Sequence, residues 1–417
     1  MKVRRVVGWL TALALLGIAS GILFLAVLGW RQPNSLTLPV PTGPYGVGRI
    51  VVDWRDDGRI DPFAPTPGTP RELPVWIWYP APRSATEPRA EYMPPRVREA
   101  MQPNPALVVR LVLSTLTTDR ANVTSHALDA PPLATSAHAF PVLLLKPALG
   151  SAVVQNSAFA EDLASHGYVV VGSDSPYTTP GVAYQDGRIA RRTAAGHPSE
   201  TAPGHISELA PGQPNDNYLA VVDVWVKDNR FILDRLQALT AQDPSGRFTG
   251  RLDLNAVGAF GHSVGGAAAL QFCGEDDRCR AGVDLDGMPY GEVVRSGISK
   301  PFLFLFAARP VFDTPESELK PDARAFLAAI ARMRQRTPAR PSLLLLDGAA
   351  HFNFFDQALQ SEPTLWRLVG ALGPIDQTRA LEVTRRYLRA FFDSHLKATP
   401  DRLLDGPSAD FPEMLFK

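Results

Sequence analysis

Cysteine is nearly absent, with two in 417 residues. That excludes a disulfide-built scaffold, and the lack of any cysteine/histidine cluster at ligand spacing excludes the recurrent zinc modules. Neither H-E-x-x-H nor G-x-x-x-x-G-K-[ST] occurs, so metalloprotease and P-loop nucleotide chemistry have no residues to carry them. No cofactor and no metal is expected. Charge of one sign is missing as well, since 42 Lys and Arg face 42 Asp and Glu. Zero net charge leaves no electrostatic footprint for nucleic acid and no polybasic patch for lipid headgroups. There is no internal repeat and no low-complexity tract. Histidine is scarce, with eight residues, so each candidate general base can be weighed separately.

What is present begins at the N-terminus. Residues 6–30 carry no charge and follow Lys2, Arg4 and Arg5. At about 1.5 Å per helical residue such a run crosses a hydrocarbon core of roughly 30 Å. A secretory signal has an apolar core of only about 7–15 residues, and no convincing small-x-small cleavage site follows this one. The expectation is an uncleaved membrane anchor over 1–30, with a cleaved signal as the alternative. The basic flank stays cytoplasmic in either case, which places the rest of the chain in a periplasm or extracellular space. In such an oxidising compartment Cys273 and Cys279 are expected to form a small-loop disulfide. The proline-rich stretch 31–44 reads as a stiff tether and 45–417 as the globular domain. A content of 45% hydrophobic and 20% charged residues is ordinary for a folded core.

Along that domain, apolar runs of strand length alternate with helical patterns. Strands are expected over 48–53, 73–79, 142–145, 168–172, 256–260, 282–285, 302–306 and 343–346, and helices over 156–166, 216–239, 324–334 and 380–396. The alternation predicts an α/β fold, a mostly parallel sheet with helices on both faces. Two stretches break the pattern. Residues 89–139 contain an apolar patch at 106–116, and 176–214 are rich in Gly, Pro, His and Ser. Either is a candidate lid over a site; the plainer reading is surface decoration.

The chemistry centres on Gly261-His262-Ser263-Val264-Gly265, with Gly266 next. An apolar run precedes it and Ala267-Ala268-Ala269-Leu270 follows, so a serine stands at the apex of a strand-turn-helix. G-x-S-x-G in that setting is the nucleophile elbow of an α/β-hydrolase; without the setting it would be a glycine-rich turn with an incidental serine. The order in this fold is Ser, then Asp or Glu, then His. Only His351 and His395 follow Ser263. His395 lies in a helical pattern, whereas His351 follows the buried-strand run 342–346 on a loop of small residues and is the expected base. The acid stays open between Asp286, after the strand at 282–285, and Asp313, after the strand at 302–306. Asp284 shares a face with Asp286 in an extended segment, and Asp347 is too near His351 along the chain.

Further motifs carry a resemblance. Val142-Leu143-Leu144-Leu145 leads into Pro147-Ala148-Leu149-Gly150, and Asp162-Leu163-Ala164-Ser165-His166-Gly167-Tyr168 follows. Beyond the elbow come Leu285-Asp286-Gly287-Met288 and His351-Phe352-Asn353-Phe354-Phe355-Asp356. Over roughly 43–392 the chain resembles the platelet-activating-factor acetylhydrolase group of α/β-hydrolases, the plasma and type II kind. The resemblance implies Ser263 as nucleophile, Asp286 as acid, His351 as base, and the backbone N–H groups of Leu149 and Val264 as oxyanion hole. It also implies a phospholipid-like ester with a short or modified acyl group as substrate, which an anchor beside the bilayer would suit. One departure stands out. The family's Ser-His-Gly-Leu-Gly is Lys146-Pro147-Ala148-Leu149-Gly150 here; a backbone donor survives that change, but the shape of the hole does not follow from it. The rival readings are a generic carboxylesterase or polyester hydrolase of the dienelactone-hydrolase or cutinase type, and a catalytically inactive hydrolase fold used as a binding module.

Overall fold

Successive residues of an extended strand face opposite sides of a sheet. Val142 and Leu144 accordingly join one buried cluster, and Leu143 and Leu145 the other. Both faces of the strand are thus covered, as a parallel sheet requires. In this computed structural model, residues 2–102, 116–197, 216–339, 342–360 and 362–417 are described. A ten-stranded sheet dominates them. In chain order its strands are β1 (Gly46–Ile60), β2 (Pro70–Ala81), β3 (Leu128–Asp129), β4 (Phe140–Lys146), β5 (Val169–Ser173), β6 (Leu252–His262), β7 (Cys279–Leu285), β8 (Phe302–Ala307), β9 (Leu343–Leu346) and β10 (Met414–Phe416). The spatial order is β10-β9-β8-β7-β6-β4-β5-β2-β1-β3. From β5 through β9 every pairing is parallel. β2 and β10 run antiparallel to their neighbours. The fold is that of an α/β-hydrolase. All eight expected strands lie in the sheet. β3 and β10, of two and three residues, are too short to show a period.

Six helices matter here: α1 (Lys2–Arg31), α2 (Ser157–Ser165), α3 (Asp216–Ala241), α4 (Val264–Glu275), α5 (Pro321–Arg336) and α6 (Gln377–Leu396). α3, α4 and α5 bury their apolar faces in one cluster, α2 and α6 in the other. α6 shows how the sequence dictates this. Leu381, Thr384, Leu388, Phe391 and Phe392 recur at helical spacing and are buried, and Asp376 caps the first turn by accepting from the Arg379 N–H at 3.0 Å. Cys273, near the end of α4, is bonded to Cys279, the first residue of β7.

By length and composition, α1 is able to cross a membrane from Trp9 to Arg31, with mean hydropathy 2.4 and 6% of its most apolar stretch buried. The stretch 31–44, read from its prolines as a stiff tether, makes contacts with the domain. Leu36–Thr37 pairs in parallel with Val123–Thr124, Leu38 is buried, and Thr42 donates to Asp162 Oδ1 through both its N–H and its hydroxyl at 2.9 Å. Proline keeps the segment extended; the Asp162 carboxylate and the burial of Leu38 lay it along the domain. Of the two expected insertions, 103–115 and 198–215 lie outside the described residues, which removes most of the apolar patch at 106–116. The described parts meet each other: Arg191, on a hairpin of Gly181–Ala183 and Ile189–Arg191, donates to the Ala100 carbonyl at 2.8 Å.

Candidate active site

β6 ends at His262, and Ser263 takes φ 57° and ψ −125° before α4 begins at Val264. A non-glycine residue there is strained and persists only where its surroundings hold it. The surroundings demand glycine on both sides: before Ser263, a Cβ on Gly261 would come within 2.4 Å of the Gly265 carbonyl. A Cβ on Gly265 would come within 2.2 Å of the Lys146 carbonyl oxygen, and one on Gly266 within 1.9 Å of Asp284 Oδ1. The close approach at Gly265 lays the loop after β4 directly on the start of α4. Among the described residues the N–H groups of Leu149, in that loop, and Val264, at the helix N-terminus, have no acceptor.

The structure brings Ser263, His351 and Asp286 together. His351 Nε2 lies 3.1 Å from Ser263 Oγ, and His351 Nδ1 lies 2.7 Å from Asp286 Oδ2. His351 opens a short 3-10 turn just past β9. Asp286 leaves β7 with φ 54°, and its Oδ1 accepts from the Ala307 N–H at 2.9 Å. Burial pushes the Asp286 carboxyl up, but the Arg309 guanidinium and the His351 hydrogen bond outweigh it and hold the group below the usual carboxylate range. Asp313 is elsewhere: it is exposed and paired with Lys417 at 2.6 Å. His395 packs on Phe391 in α6, with ring centroids 4.6 Å apart.

The shared face inferred for Asp284 and Asp286 does not hold, because the strand stops at Leu285 and the positive φ of Asp286 turns its side chain away. Asp284 stays beneath the elbow, accepting from the Gly287 N–H at 2.8 Å. Burial raises its pKa well above the ordinary carboxylate value.

Several residues that shape the site were given no role of their own by the sequence. His262 Nε2–H donates to the His351 carbonyl at 2.9 Å, its ring packs on the His351 ring, and burial holds its pKa well below the ordinary value. Asn353 Oδ1 accepts from both Ala350 and Gly373 N–H at 2.9 Å, which fixes the His351 loop. Lys146, at the end of β4, is buried. It donates to Ser173 Oγ at 2.6 Å and reaches Asp228 Oδ2 at 3.4 Å; burial lowers its pKa to about 8. Asp174, next along from Ser173, accepts from the Val153 N–H at 2.7 Å and from the Trp76 indole at 2.9 Å, and burial raises it to about 6. Lys146 and Asp174 thus fasten the two ends of the Leu149 loop. Among the described residues no cluster of His, Cys, Asp and Glu is arranged to hold a metal.

The chain is similar to known proteins over most of its length. The sequence model of the family "Platelet-activating factor acetylhydrolase, isoform II" matches residues 239–403. A probable 1-alkyl-2-acetylglycerophosphocholine esterase of Arthroderma benhamiae is 26% identical over 92% of this chain and 94% of that protein. A platelet-activating factor acetylhydrolase of Canis lupus familiaris is 24% identical over 67% of this chain and 62% of its own length. Among solved structures, a ferulic acid esterase from Streptomyces cinnamoneus superposes with TM-score 0.70 at 30% identity, covering 92% of this chain and 99% of its own.

Proposed function

Since the chain belongs to the platelet-activating-factor acetylhydrolase group of the α/β-hydrolase superfamily and is an ester hydrolase, we propose that Ser263, His351 and Asp286 act in it as a serine-esterase triad. The observation that carries the reading is the unbroken line from Ser263 Oγ to His351 at 3.1 Å and on to Asp286 at 2.7 Å. His351 takes the Ser263 proton as Oγ attacks the ester carbonyl. Asp286 keeps the imidazole in the tautomer that accepts at Nε2 and stabilises the imidazolium that forms. The tetrahedral oxyanion is met by the Leu149 and Val264 N–H groups, two donors that have no acceptor among the described residues. A preorganised donor of this kind is worth about 10²–10³ in turnover in other serine hydrolases. His351 then returns the proton to the leaving alkoxide, and water attacks the acyl-enzyme by the same route.

For the substrate we propose a phospholipid-like ester with a short or modified acyl group. The names of the related esterases support this, as does α1, read as an anchor whose basic flank, Lys2, Arg4 and Arg5, stays cytoplasmic. The catalytic domain then faces a periplasm or the extracellular space, where the Cys273–Cys279 disulfide persists. We propose the described parts of the two insertions, which meet at Arg191 and Ala100, as a lid over the site. A second reading, an esterase of soluble aromatic esters, is favoured by the 99% coverage of the ferulic acid esterase.

The test compares full-length protein with a variant lacking residues 2–30 on three esters: an acetyl phospholipid in vesicles, a soluble acetyl ester and a feruloyl ester. The phospholipid reading predicts that removing α1 spares the soluble acetyl ester but cuts hydrolysis in vesicles by about 10²-fold, through loss of effective concentration. Preference for the feruloyl ester, with equal activities in both proteins, supports the second reading.

A further inference from the structure

Arg309 stands two residues past β8, and its guanidinium donates to Asp286 Oδ2. That oxygen also receives His351 Nδ1–H at 2.7 Å. Asp286 is wholly buried, whereas the Arg309 side chain is 40% exposed, and among the described residues this is its only ion pair. A guanidinium carries five N–H donors; one is spent on Asp286 and the exposed remainder faces solvent.

A cation in this position works against the chemistry already described. Turnover requires His351 to become an imidazolium, and Arg309 both repels that charge and competes for the oxygen that stabilises it. The groups facing one another here are Arg309, Asp286, His351, His262 and Asp284. Burial disfavours the charged forms of both His262 and Asp284, which weakens any offset of Arg309 by Asp284. A negative charge arriving with the substrate would offset Arg309, and a planar fork with free donors is the group best suited to a phosphate or carboxylate.

We propose that Arg309 is a recognition residue for an anionic group, phosphate or carboxylate, carried by the ester beside His351. The proposal rests on the triad reading above and names the class of substrate that triad takes. Binding of the anion draws the guanidinium's charge toward the substrate and leaves Asp286 Oδ2 to His351, so recognition and proton transfer favour each other.

The experiment measures kcat/KM for three acetate esters of matched size, whose alcohols are neutral, carboxylate-bearing or phosphodiester-bearing. Arg309→Gln is expected to lower the anionic-to-neutral ratio by roughly 10- to 100-fold, the range of a lost charge-assisted hydrogen bond, chiefly through KM. Arg309→Lys, which keeps charge without the fork, restores part of it. A loss confined to one anionic ester assigns the site to that anion. An unchanged ratio for both anionic esters overturns the proposal and leaves Arg309 with Asp286 alone. In the unaltered protein, inorganic phosphate competes with the ester more strongly than chloride at equal ionic strength; lack of that competition overturns the proposal without recourse to a variant. Ser263→Ala separates the two readings, since activity surviving it refutes the triad whatever Arg309 does.

Discussion

Asp286→Asn lowers ester turnover by about 10⁴-fold, while Asp313→Asn leaves it within roughly a factor of two. The first figure follows the loss seen when the equivalent carboxylate of another serine hydrolase becomes an amide. The amide still fills the space and still hydrogen-bonds, but it no longer stabilises the imidazolium or fixes the productive tautomer. The second follows from position, because Asp313 is exposed and, among the described residues, pairs only with Lys417, at 2.6 Å. Steady-state rates on one soluble ester, with far-UV circular dichroism as a folding control, read both variants. The opposite ranking would move the acid to Asp313.

Asp228→Ala is expected to cost about 3–5 kcal/mol of stability, the range for removing one partner of a buried ion pair. Asp228, on α3, is fully buried and accepts from Arg71 at 2.7 and 3.1 Å, with Lys146 at 3.4 Å. Burial pushes its carboxyl up, but Arg71 and Lys146 together pull it well below the usual range. The alanine variant keeps Arg71 paired only with Asp61, at 2.6 Å, and leaves buried Lys146 without its carboxylate. A pH signature accompanies the loss. Burial brings the Lys146 pKa down to about 8, below its unfolded value, so the unfolded chain binds the proton more tightly. Stability contributed by this group therefore rises with pH from about 8 to about 10.4. Removing Asp228 takes away a term that favours the charged form, so that window opens at lower pH in the variant. Urea unfolding at several pH values measures both effects; a cost under about 1 kcal/mol would mean that the network contributes little.

The sequence was readable where local chemistry decides. The elbow needs glycines within a few residues, the core strands are continuous apolar runs, and His351 follows one of them on a small-residue loop. All of these are neighbours in the chain. Legibility failed where partners are distant. Arg309 and Asp286 stand 23 residues apart, and Arg71 and Asp228 stand 157 apart; no period or motif links them. Asp284 and Asp286 were inseparable for another reason. Which of two alternating carboxylates reaches the base depends on where the strand ends, and the positive φ of Asp286 has no glycine to announce it. The contacts of the stretch 31–44 were not legible, because proline content predicts an extended chain but says nothing about what that chain lies against.

The central claim is that Ser263 is the nucleophile His351 activates. Its most direct measurement is intact-mass and peptide analysis of the protein after treatment with a fluorophosphonate ester. The account predicts one phosphonyl adduct per chain, mapped to Ser263, lost in Ser263→Ala and slowed by about 10³-fold or more in His351→Ala. An adduct on another residue, or equal labelling of Ser263→Ala, would contradict it.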